Sequence, residues 1–136
     1  MAYLIDTDII IFNLKGNPAV QEQFRAKESI PKVISVITYG ELLYGAKLSN
    51  QTEKNLALIH RLPEIFPIVG VTRGVIESFV EIKRSLEERG NRLEDMDLLI
   101  AATAMTLNYR LVTNNVKHYR RIRGLEIENW MEQNIQ

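Results

Sequence analysis

Residues 3–11, YLIDTDIII, join a short apolar run to a carboxylate, and this junction guides the interpretation of the whole sequence. Tyr3, Leu4 and Ile5 predict a short buried strand, and Asp6 follows that strand directly. Carboxylates are rarely buried without a partner, and a lone one is expected to shift its pKa and neutralise. Asp6 therefore predicts a site where the fold gathers negative charge around something positive.

Two further acids stand in similarly apolar surroundings. Glu41 lies in VITYGELLYGA, residues 36–46, and Asp97 opens the apolar run in EDMDLLIAATA, residues 94–104. Three carboxylates within about 4–5 Å of one another would repel by roughly 3–4 kcal/mol per pair at an effective dielectric constant of about 20. A divalent cation such as Mg²⁺ or Mn²⁺ reverses the sign of that energy, because hard ions bind oxygen ligands. The three acids therefore predict a metal site and attack on a phosphodiester.

Each acid also has an ordinary structural explanation. Thr7 or Asp8 is expected to cap a helix after the first strand, whereas Asp6 lies too early in the sequence to be the cap. Glu41 alone would be a solvent-facing helix residue. Asp97 alone would offset the dipole in the first turn of its helix. The metal-site interpretation therefore requires the fold to bring the three acids together.

Composition limits the class of protein. The chain has 136 residues, 46% of them apolar and 25% charged, which is ordinary for one globular domain. Lys plus Arg equals Asp plus Glu at 17 each, so net charge does not direct the chain toward nucleic acid. The sequence has no cysteine, no apolar run near the ~20 residues that span a bilayer, and no signal-peptide pattern in MAYLID. These features predict a cytoplasmic protein without a disulfide or a membrane segment.

Short apolar runs alternate with helical patterns along one domain, predicted to span residues 1–136. Most runs are apolar on both sides, as expected for a parallel sheet covered on both faces. The predicted strands are residues 2–5, 32–36, 66–69, 110–113 and 125–127. The predicted helices are residues 20–27, 38–47, 51–62, 73–89 and 97–107, and Gly90 is expected to end the helix at 73–89. The alternation predicts an α/β domain in which ligands bind beyond the carboxyl ends of the strands.

A fourth candidate element is LVTNNVKHY, residues 111–119. Thr113 closes a predicted strand, and Asn114 and Asn115 form a pair common in turns and helix caps. In the functional interpretation, Asn115 is a neutral oxygen ligand or holds a water at the same sheet edge. The basic residues that follow are either a solvated helix face or a phosphate-binding cluster, with His118 also a candidate acid or base. These RNA-binding candidates are Lys117, His118, Arg120, Arg121 and Arg123.

Four of these segments occur in the order expected of PIN domains, so the sequence resembles that family over essentially its whole length. They are LIDTDIII, SVITYGELLYGA, DLLIAATA and LVTNN. The spacing and the ELLYGA block are similar to the VapC-type toxins of bacterial toxin–antitoxin pairs. The resemblance implies a metal-dependent endoribonuclease with a five-stranded parallel sheet, which forms a homodimer and is inhibited by a small antitoxin.

The resemblance also implies roles for particular residues. The family's acids correspond to Asp6, Glu41 and Asp97, and its fourth, often acidic, position corresponds to Asn115. The neutral amide at the fourth position implies one firmly held metal ion, with a second when RNA supplies a phosphate. Several similar toxins cut tRNA in the anticodon region, so tRNA is the expected substrate.

The expected mechanism is hydrolysis of RNA by a water that the metal activates. Asp6 and Asp97 would bind one Mg²⁺, and Glu41 would bind it through water or orient the nucleophile. Neighbouring hydroxyl groups would hold these side chains through hydrogen bonds. The hydroxyl residues are Thr7, Ser35, Thr38 and Thr113.

Two other classes of protein remain open from the sequence. Residues 6–8, DTD, resemble the DxD motif of haloacid-dehalogenase-type phosphatases, and residues 111–113, LVT, resemble their second motif. The order is wrong for those enzymes, since the threonine motif follows the acidic segment at residues 94–97 instead of preceding it. A catalytically silent RNA-binding or protein-binding module is the other alternative, and the presence of all three acids argues against it.

A partner surface is predicted on the two helices at residues 38–47 and 51–62. The family commonly uses this region, so the resemblance implies a groove that accepts an antitoxin helix or strand. Some antitoxins also insert a basic side chain into the acidic pocket, which would neutralise the cluster as a metal does. The apolar residues here include Tyr39, Leu43, Tyr44 and Leu48.

Overall fold

The computed structural model describes residues 1–131, and these residues contain one five-stranded sheet. The strands are β1 (Tyr3–Ile5), β2 (Lys32–Ser35), β3 (Ile68–Val69), β4 (Arg110–Val112) and β5 (Ile127–Glu128). Their order in the sheet is β3-β2-β1-β4-β5, and every neighbouring pair is parallel. The predicted five-stranded parallel sheet is confirmed, with β1 at its centre.

Helices cover both faces of the sheet, as predicted. They are α1 (Thr7–Leu14), α2 (Pro18–Ala26), α3 (Val36–Leu48), α4 (Thr52–His60), α5 (Arg73–Glu88), α6 (Asp95–Leu107) and α7 (Val116–Tyr119). Because side chains alternate along a strand, Tyr3 and Ile5 enter one hydrophobic core and Leu4 enters the other. The first core takes buried residues from α1 to α4, and the second takes them from α5 and α6. The chain therefore forms three layers, with β1 buried between the two sets of helices.

One predicted boundary changes where β2 turns directly into α3. The strand predicted at residues 32–36 ends at Ser35, because the Ser35 hydroxyl oxygen caps α3 by accepting a hydrogen bond from the Ile37 N–H at 3.0 Å. The other predicted elements lie within two residues of the observed ones at both ends. α1 and α7 are additional helices, to which the sequence patterns assigned no range. No helix within residues 1–131 combines the length and apolar character needed to cross a bilayer.

α5 ends at the glycine that its sequence predicts. Gly90 has a φ of +72°, a left-handed conformation that side chains with a Cβ rarely adopt. Its N–H donates to the Glu87 carbonyl at 3.1 Å, and the Asn91 N–H donates to the Leu86 carbonyl at 2.8 Å. This paired arrangement satisfies two carbonyls that the end of the helix would otherwise leave open. The turn directs the chain toward α6, and α6 carries one of the candidate acids.

Replacing Gly90 with alanine is expected to destabilise the protein by about 1 kcal/mol, because a Cβ opposes the left-handed conformation. No atom lies within 4 Å of the position that this Cβ would take, so backbone conformation alone accounts for the cost. Gly40→Ala is the matched control: Gly40 lies inside α3 with equally open space, and alanine there is expected to stabilise by roughly 0.5–1 kcal/mol. Urea unfolding of the two variants should shift in opposite directions, and shifts of the same sign would contradict this account.

Candidate active site

Parallel strands bring distant parts of the sequence to one edge of the sheet. Asp6 follows β1, Ser35 ends β2 and Thr113 follows β4, and these three strands are neighbours. Their carboxyl ends share an edge because β1 pairs in parallel with both β2 and β4. The Asp6 N–H donates to the carbonyl of Val112 at 2.9 Å, which continues the β1–β4 pairing up to the acid itself. Asp6 therefore lies at the carboxyl edge of the sheet, where the sequence predicts a ligand.

The helices complete this edge of the sheet. α3 begins there directly after β2, and Glu41 lies in its second turn. α6 leads back into β4, so its first turn, which contains Asp97, lies at the carboxyl edge of the sheet. α7 follows β4 at the same edge, immediately after Asn115. The fold thus brings Asp6, Glu41 and Asp97 to one region, although 91 positions of sequence separate the first from the last (97 − 6).

Asp6 is the buried member of the group, with 6% of its surface exposed. Its Oδ1 accepts a hydrogen bond from the Thr7 N–H, and its Oδ2 accepts one from the Thr113 hydroxyl, both at 2.8 Å. Asp6 is also the N-cap residue of α1, so the prediction that it lies too early to cap this helix was wrong. The cap explains the local geometry, because a helix that starts directly after β1 leaves its first N–H groups without a partner.

The surroundings of Asp6 disfavour the ionised form of its carboxyl group. Burial, followed by the negative charge of Asp8, raises the pKa of Asp6 from 3.8 to about 7, and the charge of Asp97 adds to the effect. Hydrogen bonds from Thr113 and Thr7 act in the opposite direction without cancelling the rise. Burial and the neighbouring negative charges therefore both disfavour the ionised form of Asp6, a combination that is common at functional sites.

Glu41 is held by a hydroxyl group from another element. The Thr7 hydroxyl donates to Glu41 Oε1 at 2.6 Å and also lies 3.1 Å from the hydroxyl oxygen of Thr38. A hydroxyl group has one proton to donate, and the shorter contact goes to the carboxylate. Thr7 thereby joins the start of α1 to Glu41 on α3, and two of the predicted supporting hydroxyls lie where the sequence placed them.

Asp97 is held by two consecutive residues of α7. His118 Nε2 lies 2.9 Å from Asp97 Oδ2, and the Tyr119 hydroxyl points at Asp97 Oδ1 from 3.4 Å. Burial raises the pKa of the Tyr119 phenol, and the charges of four carboxylates raise it further. In decreasing order of effect, the four are Asp6, Asp97, Asp8 and Glu41. The charges of these four acids therefore act on one buried phenol, and we call the four the acidic cluster.

Asp8 is a member of this cluster that the sequence patterns did not single out for function. Its Oδ2 accepts a hydrogen bond from the Asn114 N–H at 3.0 Å, and its Oδ1 accepts one from the Ile9 N–H at 2.8 Å. Burial raises the pKa of Asp8 as well. The carboxylate therefore fixes the turn that leads to Asn115, in addition to lying near Asp6. The signal in the sequence is the second acid of DTD, which is predicted as a helix cap and otherwise belongs to the DxD motif of the phosphatase alternative.

The remaining predicted residues divide between the site and its surroundings. The Thr113 hydroxyl contacts Asp6 and also accepts a hydrogen bond from the Asn115 N–H at 3.0 Å. The Asn115 side chain is exposed and makes no capping hydrogen bond to α7. The Ser35 hydroxyl, predicted to support the acids, instead caps α3 as described above, because β2 leads into that helix without a loop.

The five predicted RNA-binding residues have different surroundings in and after α7. Lys117 and Arg120 are exposed near α7. The main-chain carbonyl of Arg121 accepts a hydrogen bond from Arg89, and Arg123 lines a depression against α5. His118 is the member that contacts a candidate acid within residues 1–131, because a four-residue helix turns successive side chains in different directions.

The side chains at this edge suit a divalent cation that prefers oxygen. Carboxylates are the ligands that Mg²⁺ and Mn²⁺ favour, and a cation would reverse the repulsion that raises the pKa of Asp6. Within residues 1–131, no three acidic or histidine side chains are already arranged around one point as they would be around an ion. The carboxylates instead use protein hydrogen-bond donors, of which Thr7, Thr113 and His118 are the closest. Asp6, Asp97 and Glu41 would hold the cation.

A parallel α/β sheet with acidic side chains at its carboxyl edge is compatible with more than one class of metal-dependent phosphate-cleaving enzyme, and comparison with known families distinguishes them. The family described as PIN domain matches residues 3–125. The chain belongs to the PIN-domain family. This match favours the nuclease interpretation over the haloacid-dehalogenase-like phosphatase.

Individual relatives agree with this family. The chain is 31% identical over 131 residues to the tRNA(fMet)-specific endonuclease VapC of Shigella flexneri, covering 96% of this chain and 98% of that protein. It is 32% identical over 133 residues to ribonuclease VapC1 of Haemophilus influenzae strain R2866, with the same coverage. The solved structure of VapBC2 from Rickettsia felis, bound to a promoter DNA fragment, has a TM-score of 0.89 and 30% identity, covering 96% and 99% of the two chains. Structures of this kind are VapBC toxin–antitoxin complexes.

The metal-free protein is expected to lose stability as pH rises from about 4 to about 7. The folded chain binds the Asp6 proton more tightly than the unfolded chain, because the pKa is about 7 in the folded state against an ordinary 3.8. The stabilising contribution is therefore complete below pH 3.8 and disappears as pH passes through about 7. Between pH 5 and pH 8 the loss is about 3 kcal/mol.

Urea unfolding in EDTA at these two pH values measures this loss. Asp6→Asn should flatten the pH dependence, since the amide has no proton to exchange in this range. Asp95→Asn is the matched control: Asp95 is an exposed acid that pairs with Lys83 at 2.9 Å and should leave the dependence as in the wild type. An Asp6→Asn variant with the wild-type pH dependence would show that another group is responsible.

Proposed function

We propose that this VapC-related endoribonuclease is the toxin of a type II toxin–antitoxin pair and hydrolyses tRNA in the anticodon region with Mg²⁺ as its cofactor. The observation that carries the proposal is the buried Asp6 carboxylate, whose pKa is raised to about 7 by burial and by the charges of Asp8 and Asp97. A folded protein retains such a cluster when a cation is part of its function. Mn²⁺, another hard divalent ion, would substitute for Mg²⁺.

The reaction needs a nucleophile and a way to neutralise the phosphate. When bound, Mg²⁺ supplies Lewis acidity, which lowers the pKa of water and stabilises negative charge on phosphoryl oxygens. Asp6 and Asp97 would hold the cation with carboxylate oxygens. Glu41, fixed by the Thr7 hydroxyl at 2.6 Å, would bind the cation through water or orient the attacking water. Asn115 contributes a neutral amide oxygen at the rim of the site, where its side chain is exposed.

Several hydroxyl and carboxylate contacts hold these groups in place. Thr113 fixes Asp6, Thr7 fixes Glu41 and Thr38 lies against Thr7. Such supporting contacts orient metal-binding side chains before the ion and the substrate arrive. Asp8 acts indirectly, because its hydrogen bond from the Asn114 N–H fixes the turn that carries Asn115.

Support for tRNA as the substrate comes from a relative and from local charge. The Shigella flexneri relative is named a tRNA(fMet)-specific endonuclease, and the similarity covers nearly the whole of both chains. Lys117 and Arg120 are exposed on and beside α7, so their charges are available to the phosphates of RNA next to the acidic site. In this proposal these two residues bind RNA, and Arg123 is also exposed but lines a depression against α5.

The antitoxin is proposed to occupy a groove between α1, α3 and α4. The groove has a volume of about 360 Å³ and a mainly apolar lining that includes Ile11, Gly45 and Leu58, and Glu41 forms part of its wall. A helix or strand of the antitoxin would bury this apolar lining and reach the acidic cluster past Glu41. The solved VapBC structures similar to this chain support such a partner. A homodimer of toxins, bound to antitoxins in the cytoplasm, is part of the same proposal.

Loss of a metal-binding carboxylate is expected to abolish cleavage, whereas loss of a nearby surface carboxylate is not. Asp97→Asn should slow RNA cleavage by more than about 10²-fold, because it removes a charge that holds the cation. Asp95→Asn is the matched control, two positions away on α6, exposed and paired with Lys83. Sequencing of RNA ends after brief expression compares the two variants with the wild type.

A single tRNA cut by the wild type and by Asp95→Asn, but by neither Asp97→Asn nor Asp6→Asn, would support enzyme class and substrate together. Growth arrest and cleavage at the wild-type level by Asp6→Asn would refute the site assignment. Cleavage of messenger RNA alone would retain the endoribonuclease and exclude the tRNA substrate.

The groove can be tested separately from the active site. Leu58→Glu places a charge on the apolar lining and should weaken co-purification of the cognate antitoxin by about 10-fold or more, since interface anchors of this size contribute about 2 kcal/mol or more. Val80→Glu on α5 is the control, because Val80 is similarly exposed and lies outside the groove. Both variants should cleave RNA at the wild-type rate, and equal loss of antitoxin binding in both would contradict the location.

A further inference from the structure

His118 and Tyr119 contact the two oxygens of one carboxylate from adjacent positions in the chain. His118 Nε2 is 2.9 Å from Asp97 Oδ2, a full hydrogen bond, whereas Tyr119 lies 3.4 Å from Oδ1, at the long limit of one. The two rings also pack edge to face, with centroids 5.7 Å apart. His118 therefore provides the stronger of the two contacts that orient Asp97.

The contact determines which nitrogen of the imidazole carries a proton. An ionised carboxylate only accepts hydrogen bonds, so Nε2 of His118 must be the donor to Asp97. The His118 side chain is 26% exposed and the Asp97 side chain is 28% exposed, so both lie at the wall of the site and not in the core. Loss of the imidazole there removes its packing against Tyr119 as well as its hydrogen bond to Asp97, and a glutamine at this position keeps a hydrogen-bond donor.

We propose that His118 is a positioning residue: it holds the Asp97 carboxylate in the orientation that receives the divalent cation. The proposal rests on the proposed function, because it concerns the same metal site. Without His118, Asp97 keeps only the long contact to Tyr119, and its carboxylate rotates among several orientations. The cation must then order that side chain as it binds, and this weakens binding.

The position of α7 explains why this residue is suited to the role. α7 starts at Asn115, and the Asn115 carbonyl accepts hydrogen bonds from the N–H groups of both His118 and Tyr119 at 3.2 Å. The main chain that carries one candidate ligand therefore also carries the group that orients another. His118 joins the β4 side of the site to α6, just as Thr7 joins α1 to α3.

The opposite role is chemically conceivable and predicts the opposite result. A histidine that occupies an oxygen of Asp97 in competition with the cation would weaken metal binding, so its removal would tighten binding. The observed geometry favours positioning. The two oxygens of the carboxylate have four lone pairs between them, and His118 uses one, so lone pairs remain for the cation.

Direct measurement of Mn²⁺ binding to the full chain tests the proposal without reference to catalysis. Electron paramagnetic resonance titration with Mn²⁺ alone should give a Kd about 10-fold or more higher for His118→Ala than for the wild type. His118→Gln should recover binding to within about 3-fold, since its side-chain amide donates a hydrogen bond over a similar reach. His60→Ala is the matched control, because His60 is the other histidine of the sequence and is exposed at the end of α4. This variant should leave the Kd unchanged.

Unchanged or tighter Mn²⁺ binding by His118→Ala would overturn the proposal. If His118→Ala binds Mn²⁺ as tightly as the wild type while Asp6→Asn does not bind it, the role of His118 is refuted and the proposed function remains intact. If the wild type itself fails to bind Mn²⁺, both the proposed function and the role of His118 fail.

The state of the imidazole provides a second, independent measurement. Long-range ¹H–¹⁵N correlation spectra of the metal-free chain contain signals from two histidines. In the His60→Gln variant only the signals of His118 remain. A proton on Nε2, with or without one on Nδ1, is expected. A proton on Nδ1 alone would make Nε2 an acceptor and would overturn the proposed hydrogen bond to Asp97. The proposal requires both the binding result and this tautomer.

Discussion

The hydrogen bond from the Thr113 hydroxyl to the Asp6 carboxylate is the contact on which the rest of the site depends. It is 2.8 Å long and joins the ends of β1 and β4 across 107 positions of sequence. Without it Asp6, the most buried acid among residues 1–131, would keep only the Thr7 N–H as a donor within those residues, and burial would disfavour its charge still further. Because the contact is made at the carboxyl edge of the sheet, the acid lies where α3 and α6 bring Glu41 and Asp97.

The fold retains this negative cluster by supporting it from several sides, and the support is incomplete. α1, α3 and α6 begin at this edge, so their amino ends direct partial positive charge toward the acids. Hydroxyl groups and a histidine supply hydrogen bonds to individual carboxylates. Burial and the charges of Asp8 and Asp97 nevertheless raise the pKa of Asp6 to about 7, so ionisation of this buried carboxyl is unfavourable in the metal-free protein. Local instability of this kind is typical of functional sites, because the missing interaction is provided by what binds there.

Much of the fold was predictable because it follows from local patterns. Apolar runs predicted all five strands, and Gly90 predicted the end of α5. Asp6, Glu41 and Asp97 were recognisable as acids in apolar surroundings, and the parallel topology then brings them together. The role of Asp8 and the contact between His118 and Asp97 were not predictable, because both depend on pairings between residues far apart in sequence. The roles of hydroxyl groups were equally open, since a serine after a strand is suited to a helix cap or to a carboxylate, and Ser35 is the cap.

The central position of β1 has a consequence for how the protein is made. β1 is synthesised first, yet one of its two neighbours is β4, and both Thr113 and His118 come near the end of the 136-residue sequence. Pairings across so long a stretch of chain form late in folding, because the intervening chain must first be ordered. A nascent polypeptide emerging from the ribosome therefore has Asp6 and Glu41 long before it has the groups that hold Asp6 and Asp97. The contacts that hold Asp6 and Asp97 are therefore absent until the segment that carries Thr113 and His118 has been synthesised.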